Sequence, residues 1–360
     1  MAAYVFETIS ATQAAAYAAA TDSLSFQGAG ATAGLVTVGY LGAEQIAVTL
    51  GGQTVNFGSG IYNETGVTFP NGSLLFIGGL AGDQVLGGAF GDALYGGQGD
   101  DTLSGAEGDD VLQGNQGADL LNGGPGNNTI YGGQGDDRID LGAGVNFGQG
   151  NLGNDTVTAA ASGPSILLGG QGDDLLIGGA GNGVLDGNLG NDSISGGAGA
   201  ELISGSGGAD TMDGGGGADT FTAPAGSSDV TLAAADRIMH WSSADQIDVA
   251  GPGGVAEYYQ IPASIIAAGG GGVSDPYGYG LDYDPTPPPM TGPVASTISF
   301  DQALSTSNSW LRGHANNNIS TAQIPEGVAI FVDSNGDHVA DISIILVGAS
   351  IFDLSGANFI

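Results

Sequence analysis

The chain has 360 residues and a formal charge of −35, with 38 acidic residues against three arginines (Arg138, Arg237 and Arg312) and no lysine. A surface of that sign repels phosphate, so binding to nucleic acid or to anionic lipid is disfavoured. Cysteine is absent, so no disulfide staples the fold, and the length allows two or three domains.

Residues 1–77 form the first segment. Ser10–Ala20 is alanine-rich and predicts a helix with Ser10 as its N-cap. Ser23–Phe26, Leu35–Tyr40, Gln45–Leu50 and Thr54–Phe57 are short alternating runs between glycine-rich turns, and they read as strands. The segment is expected to cap an open end of the array that follows, because an uncovered sheet edge invites association; a recognition module is the second reading. MAAYVFETIS has neither the basic n-region nor the long apolar h-region of a Sec signal, so none is expected. No run of 18 apolar residues predicts a membrane span.

From Gly78 to Thr222 the chain takes sixteen steps of nine residues. A clean copy runs Gly96-Gly97-Gln98-Gly99-Asp100-Asp101-Thr102-Leu103-Ser104. Glycines supply tight turns, position six carries a carboxylate and position eight an apolar residue. Nine residues hold one turn and one short strand, so two steps make one coil of a flattened parallel β-helix, with like strands about 4.8 Å apart. Turns two steps apart then share an edge, and their position-six carboxylates repel one another. A calcium ion removes the conflict, since it takes about 6–8 oxygens from carboxylates and carbonyls in flexible geometry.

The two edges differ. Odd-numbered steps carry Asp83, Asp101, Asp119, Asp137, Asp155, Asp174, Asp192 and Asp210 without a gap. Even-numbered steps carry Asp92 and Asp110, then Asn128, Asn146, a ten-residue step without an acid (Ala159–Leu168), Gly183, Glu201 and Asp219. One edge is expected to hold a row of about seven calcium ions. The other is expected to bind through Asp92 and Asp110, and again near Glu201 and Asp219. On the weaker edge the apolar or small residues Phe147, Gly148 and Ala159–Ala161 suggest a surface for a second subunit. The repeated GGxGxDxUx unit resembles the RTX β-roll. That resemblance implies calcium-dependent folding and export through a type I secretion machinery by an uncleaved C-terminal signal. Composition alone reads as cytosolic; the resemblance implies a secreted protein, extracellular or at the cell surface.

Residues 223–360 resemble the module that follows the β-roll in serralysin-type proteins. One stretch is Asp236-Arg237-Ile238-Met239-His240-Trp241 through Asp245-Gln246-Ile247-Asp248-Val249. It follows the family's D-x-I-x-D-F…D-x-I-D-L pattern but has His240 and Trp241 where the family has Asp and Phe. The other runs from Ala329 through Asp333-Ser334-Asn335-Gly336-Asp337 and Asp341-Ile342 to Gly348, like the family's closing strands. Asp333, Asn335, Asp337 and Asp341 have oxygen-ligand spacing for a further calcium. His338 and Ile344 stand where an EF-hand needs glycine and glutamate, and a polar hairpin turning at Asn335-Gly336 is the equal alternative. Between the two stretches, Gly251–Pro293 is rich in Gly, Pro and Tyr and is expected to be extended chain. Its tyrosines (Tyr258, Tyr259, Tyr277, Tyr279, Tyr283) fit either an interface or an ordinary surface loop.

The sequence contains no HExxH, no GxSxG and no cysteine nucleophile, and its three histidines, His240, His314 and His338, lack zinc-ligand spacing. The expected architecture is all-β: a parallel β-roll between a β-rich N-terminal cap (1–77) and a β-rich C-terminal module (223–360). The expected function is a non-enzymatic calcium-binding structural protein of a surface layer, biofilm matrix or filament, with self-association. An adhesin or carbohydrate-binding module, and an enzyme with an unrecognised site, are the alternatives.

Overall fold

The computed structural model describes residues 3–17, 23–28, 31–42, 45–58, 61–62, 67, 69–159, 163–223, 235–249, 258–260, 299–313, 319–332, 340, 342–349 and 354. The fold is all-β with little helix and is built on a parallel β-solenoid. The chain divides into two units, residues 1–204 with 214–219, and residues 205–213 with 220–360.

In the first unit, Ala3–Val5 pairs in parallel with Ser23–Ser25. A helix over Ala11–Ala15 follows a capping box in which the Ser10 hydroxyl accepts from the Gln13 N–H and the Gln13 side chain accepts from the Ser10 N–H. The helix is shorter than the alanine run suggests; residues 18–22 lie outside the described set. Thr37–Gly42, Gln45–Leu50 and Gln53–Gly58 form a three-stranded antiparallel sheet. Phe6 and Phe26 stack at 4.5 Å, and Phe26 and Phe69 at 4.6 Å. The core around them includes Ile46, Val48 and Phe57 and runs on into Leu75, Ile77, Ala93 and Tyr95 of the first solenoid strands. The Tyr95 hydroxyl donates to the Val36 carbonyl at 2.7 Å across this junction.

From Leu75 the solenoid alternates between two sheets. One contains Ala93–Gln98, Val111–Gln116, Thr129–Gln134, Asn146–Leu152, Ser165–Gln171, Val184–Leu189 and Leu202–Ser204, each parallel to the next. The other contains Gln84–Leu86, Thr102–Ser104, Leu120–Asn122, Arg138–Asp140, Thr156–Thr158, Leu175–Ile177 and Ser193–Gly197. Partners lie two steps apart in sequence, so every side chain stacks on its counterpart from two steps back. Position eight points inward: Leu94, Leu103, Leu112, Leu121, Ile130, Ile139, Val157, Leu167 and Leu176 are all buried. The ten-residue step does not break the ladder. Asn146 pairs with Ser165, nineteen residues on, so the extra residue is absorbed before Ser165.

The turns impose their own sequence rule. At Gly126 (φ 146°) a Cβ would collide with the Gly108 carbonyl of the stacked turn, so the requirement is both conformational and steric. Position two is more tolerant. Asn115, Asn151 and Asn188 adopt φ of 80°, 84° and 71° there, as asparagine can in the left-handed region. That accounts for the recurring GN dipeptides.

In the second unit, residues 211–213 pair in parallel with Arg237, Ile238 and Met239, and Thr220–Ala223 pairs with Gln246–Val249. Ile238 and Ile247 are fully buried, in register with Met212 and Phe221. Ile319–Ile324, Gly327–Val332 and Ile342–Val347 form antiparallel pairs. Ala303 of a helix over Phe300–Gly313, which the sequence reading did not anticipate, joins a core with Phe331 and Ile345.

Candidate metal centre

The position-six side chains lie in buried rows along the turns. On the first edge each carboxylate's Oδ1 accepts the backbone N–H of the aspartate two steps earlier. Asp83 N donates to Asp101, Asp101 to Asp119, Asp119 to Asp137, Asp137 to Asp155, Asp155 to Asp174 and Asp174 to Asp192, all at 2.7–2.8 Å. Every residue from Asp101 to Asp192 in this row is at most 2% exposed. In the second unit Asp210 N donates to Asp236 Oδ1 at 3.1 Å, so the pattern of the row recurs with Asp236 as acceptor. Asp236 was missed as a site residue because 26 residues, not eighteen, separate it from Asp210.

The other carboxylate oxygen is the informative one. Oδ2 of Asp101, Asp110, Asp119, Asp137, Asp155 and Asp174 is buried with no hydrogen-bond donor against it, a costly state for a charged atom. At four of these turns it faces a further acceptor. The space a Cβ on Gly96 would fill is bordered by Asp101 Oδ2 and the Gly114 carbonyl. The same pairing recurs as Asp119 with Gly132 O, Asp137 with Gly150 O and Asp174 with Gly187 O. Acceptor against acceptor, with glycine leaving the room, is a cradle for a cation. Burial, with neighbouring carboxylates adding to it, pushes the carboxyls up: Asp101 and Asp174 to about 7, Asp137 to about 8. Burial also raises Asp110, Asp119 and Asp155, to about 6. The backbone N–H bond to Oδ1 works in the opposite direction and does not win.

Among the described residues no three acidic or histidine side chains converge on one point. A bound ion would therefore draw one or two carboxylates and complete its shell with turn carbonyls, the donor set a hard, oxygen-seeking cation accepts. The residues fit calcium. The first turn of each row differs: Asp83 Oδ2 accepts from Gly79 N at 3.3 Å and Asp92 Oδ2 from Gly88 N at 2.6 Å.

Comparison with protein families agrees with this chemistry. Residues 77–112, 113–148, 149–185, 160–194 and 186–221 match the RTX calcium-binding nonapeptide repeat, whose model spans four copies. Residues 77–221 are RTX calcium-binding repeats folded as a β-roll. No curated protein matches the chain. The roll's calcium-binding motifs coincide with the rows of buried carboxylates, and the parallel solenoid is the fold expected of them.

Other sequence-predicted sites fare differently. Asp110 N donates to Asn128 Oδ1 at 3.0 Å and Asn128 N to Asn146 Oδ1 at 2.7 Å, so the second row continues through asparagines. Further along, Glu201 N donates to Asp219 Oδ1 at 3.0 Å. Both Glu201 oxygens are buried, and burial with the adjacent Asp219 pushes its carboxyl up to about 7, with the Gly199 N–H working in the opposite direction. Asp333, Asn335, Asp337 and Asp341 lie outside the described residues, as does Gly251–Pro293 apart from Tyr258–Gln260. Gly148 and Ala159, expected on a subunit-facing surface, instead point inward and are buried, while Phe147 is half-buried and packs on Tyr131 at 5.5 Å; Ala160 and Ala161 lie outside the described residues. Position five was missed altogether. Asp100, Asp109, Asp136 and Asp173 accept N–H groups from the turn two steps later at 2.7–2.9 Å. In each DD pair the first aspartate thus ties turns together and the second faces the cradle.

Proposed function

We propose that this RTX protein is exported unfolded, folds on extracellular calcium and serves a structural, non-enzymatic role in a surface layer, biofilm matrix or filament. Residues 1–77 act as the cap of the roll, supported by the core they share with Leu75, Ile77, Ala93 and Tyr95. Type I export is supported by the serralysin-like stretches; deleting the chain from about Asp333 onward should abolish export and leave calcium binding by the roll intact.

The observation that carries the structural role is a row of side chains on one outer sheet face. Thr129, Phe147, Ile166, Val184 and Leu202 stand opposite one another on successive strands. Ile166, Val184 and Leu202 are 43%, 38% and 42% exposed. On a chain of charge −35, this uncharged row is where a second copy approaches without desolvating carboxylates. Light scattering and electron microscopy with calcium should show assemblies. Val184→Glu with Ile166→Glu should abolish them while leaving the circular dichroism of the calcium form unchanged. Assembly that survives both charges would overturn this role.

A second reading, carbohydrate binding, rests on the opposite sheet. A hollow of about 260 Å³ there is lined by Thr102, Ser104, Asn122, Arg138, Asp140 and Thr158, hydroxyl, amide and ionic groups suited to a sugar. A glycan array comparing wild type with Arg138→Ala separates the two readings.

A further inference from the structure

The second edge changes chemistry at Asn128 and Asn146, and the side chains there take over two roles at once. Each Oδ1 accepts the same N–H that an aspartate accepts elsewhere, from Asp110 at 3.0 Å and from Asn128 at 2.7 Å. The outer atom differs. Asn128 Nδ2 donates to Gly124 O at 3.1 Å and to Leu141 O at 3.1 Å, with Gly126 O at 3.5 Å. Asn146 Nδ2 donates to Gly142 O at 3.0 Å.

These carbonyls hold the places that surround the cradle in an aspartate turn. Leu141 O borders the missing Cβ of Gly123 beside Asn128 Nδ2, as Gly114 O borders that of Gly96 beside Asp101 Oδ2. Asparagine and aspartate are isosteric, so the backbone is unchanged. What changes is the sign of the outer atom: an acceptor facing an acceptor becomes a donor facing an acceptor.

We propose that the amides of Asn128 and Asn146 stand in for calcium, closing this stretch of the second edge by hydrogen bonds and excluding the ion. The reasoning rests on the calcium reading of the acidic turns. A cation entering at Asn128 would meet N–H dipoles aimed outward, would break two hydrogen bonds at 3.1 Å, and would gain no carboxylate from that turn. The second edge is therefore metal-binding at Asp110 and metal-free at Asn128 and Asn146, whereas the first edge is acidic throughout.

Native mass spectrometry of the full chain at saturating calcium tests this by ion count. Asn128→Asp and Asn146→Asp should each raise the count by one over wild type, and the double variant by two. Asn128→Ala should leave the count unchanged while lowering the melting temperature of the calcium form. Asp variants that fold by circular dichroism yet gain no ion would overturn the proposal, and so would an ion lost in Asn128→Ala. Should Asn128→Asp fail to fold, Asn146→Asp alone decides. A wild-type chain that holds no calcium would overturn the calcium reading itself, an outcome distinct from either.

Discussion

At the scale of single residues, the step from Leu141 to Gln149 shows how the repeat tolerates its own irregularities. Gly148 sits at position eight, where every neighbour is a large aliphatic, and would leave a hole. Leu141 fills it from position one, which is glycine in the clean copies: a Cβ on Gly148 would meet Leu141 Cδ2 at 2.6 Å and Val157 Cγ1 at 3.1 Å. Leu141 is fully buried. Leu141→Ala should destabilise the calcium form by about 2–5 kcal/mol, and Gly148→Leu alone should also destabilise it, by overpacking. The double change Leu141→Gly with Gly148→Leu restores the regular pattern and should recover most of the loss. Thermal melts of the three variants check this, and additive losses would refute the pairing. The buried carboxylates make a second prediction. Their folded pKa values lie above the ordinary aspartate value of about 3.9, so without metal it is the protonated form that suits the fold. The destabilisation is full above pH 8, declines as pH falls through 8 to 6, and is gone below about 4. In a chelator, β-structure followed by circular dichroism should therefore be regained on acidification from pH 8 to 5. A signal independent of pH would contradict the burial of the row.

At the scale of elements, the sequence revealed what repeats and hid what does not. Glycine at fixed phase, a carboxylate at position six and an apolar residue at position eight each have one physical cause, so sixteen copies made both the solenoid and its acid rows legible. The strands over Gln45–Leu50 and Gln53–Gly58 were readable from alternation. Three features were not. The first aspartate of each DD pair looks equivalent to the second until the stacking shows which N–H each one accepts. Asp236 stands out of phase with the repeat, and its role appears only once Met212 is seen opposite Ile238. The Phe300–Gly313 helix carries polar residues around a short apolar face and has no repeat to mark it. The N-terminal segment supplies its own prediction. Its aromatic residues share one core with Leu75, Ile77, Ala93 and Tyr95, so deleting residues 1–72 uncovers that core. Hydrogen exchange should then accelerate in the first coils while strands beyond Thr129 keep their protection. Uniform protection along the roll would show that the segment contributes nothing to its stability.

At the scale of the whole molecule, the buried acid rows couple folding to the binding of a cation. A row of buried charged oxygens facing carbonyls cannot form without a cation or a proton, and the free energy of binding becomes free energy of folding. Titrating calcium into the chelated chain at pH 8 should restore β-structure over a narrow range of concentration, because each ion lies between turns that its neighbours also fix. A broad, independent-site titration would argue against that coupling. The hydrogen bonds within the acid row add something that symmetry of sequence conceals. In the first unit each N–H points to the carboxylate of the turn that comes later in the chain, never the earlier one, and Asp210 and Asp236 have the same sense in the second. The row has an arrow. A turn lost from the front costs its successor a donor, which water replaces at a carboxylate. One lost from the back leaves a buried N–H with nothing to receive it. The two ends of the roll are thus unequal as starting points, and the coil nearest the C-terminus is the one on which the rest can be completed in turn.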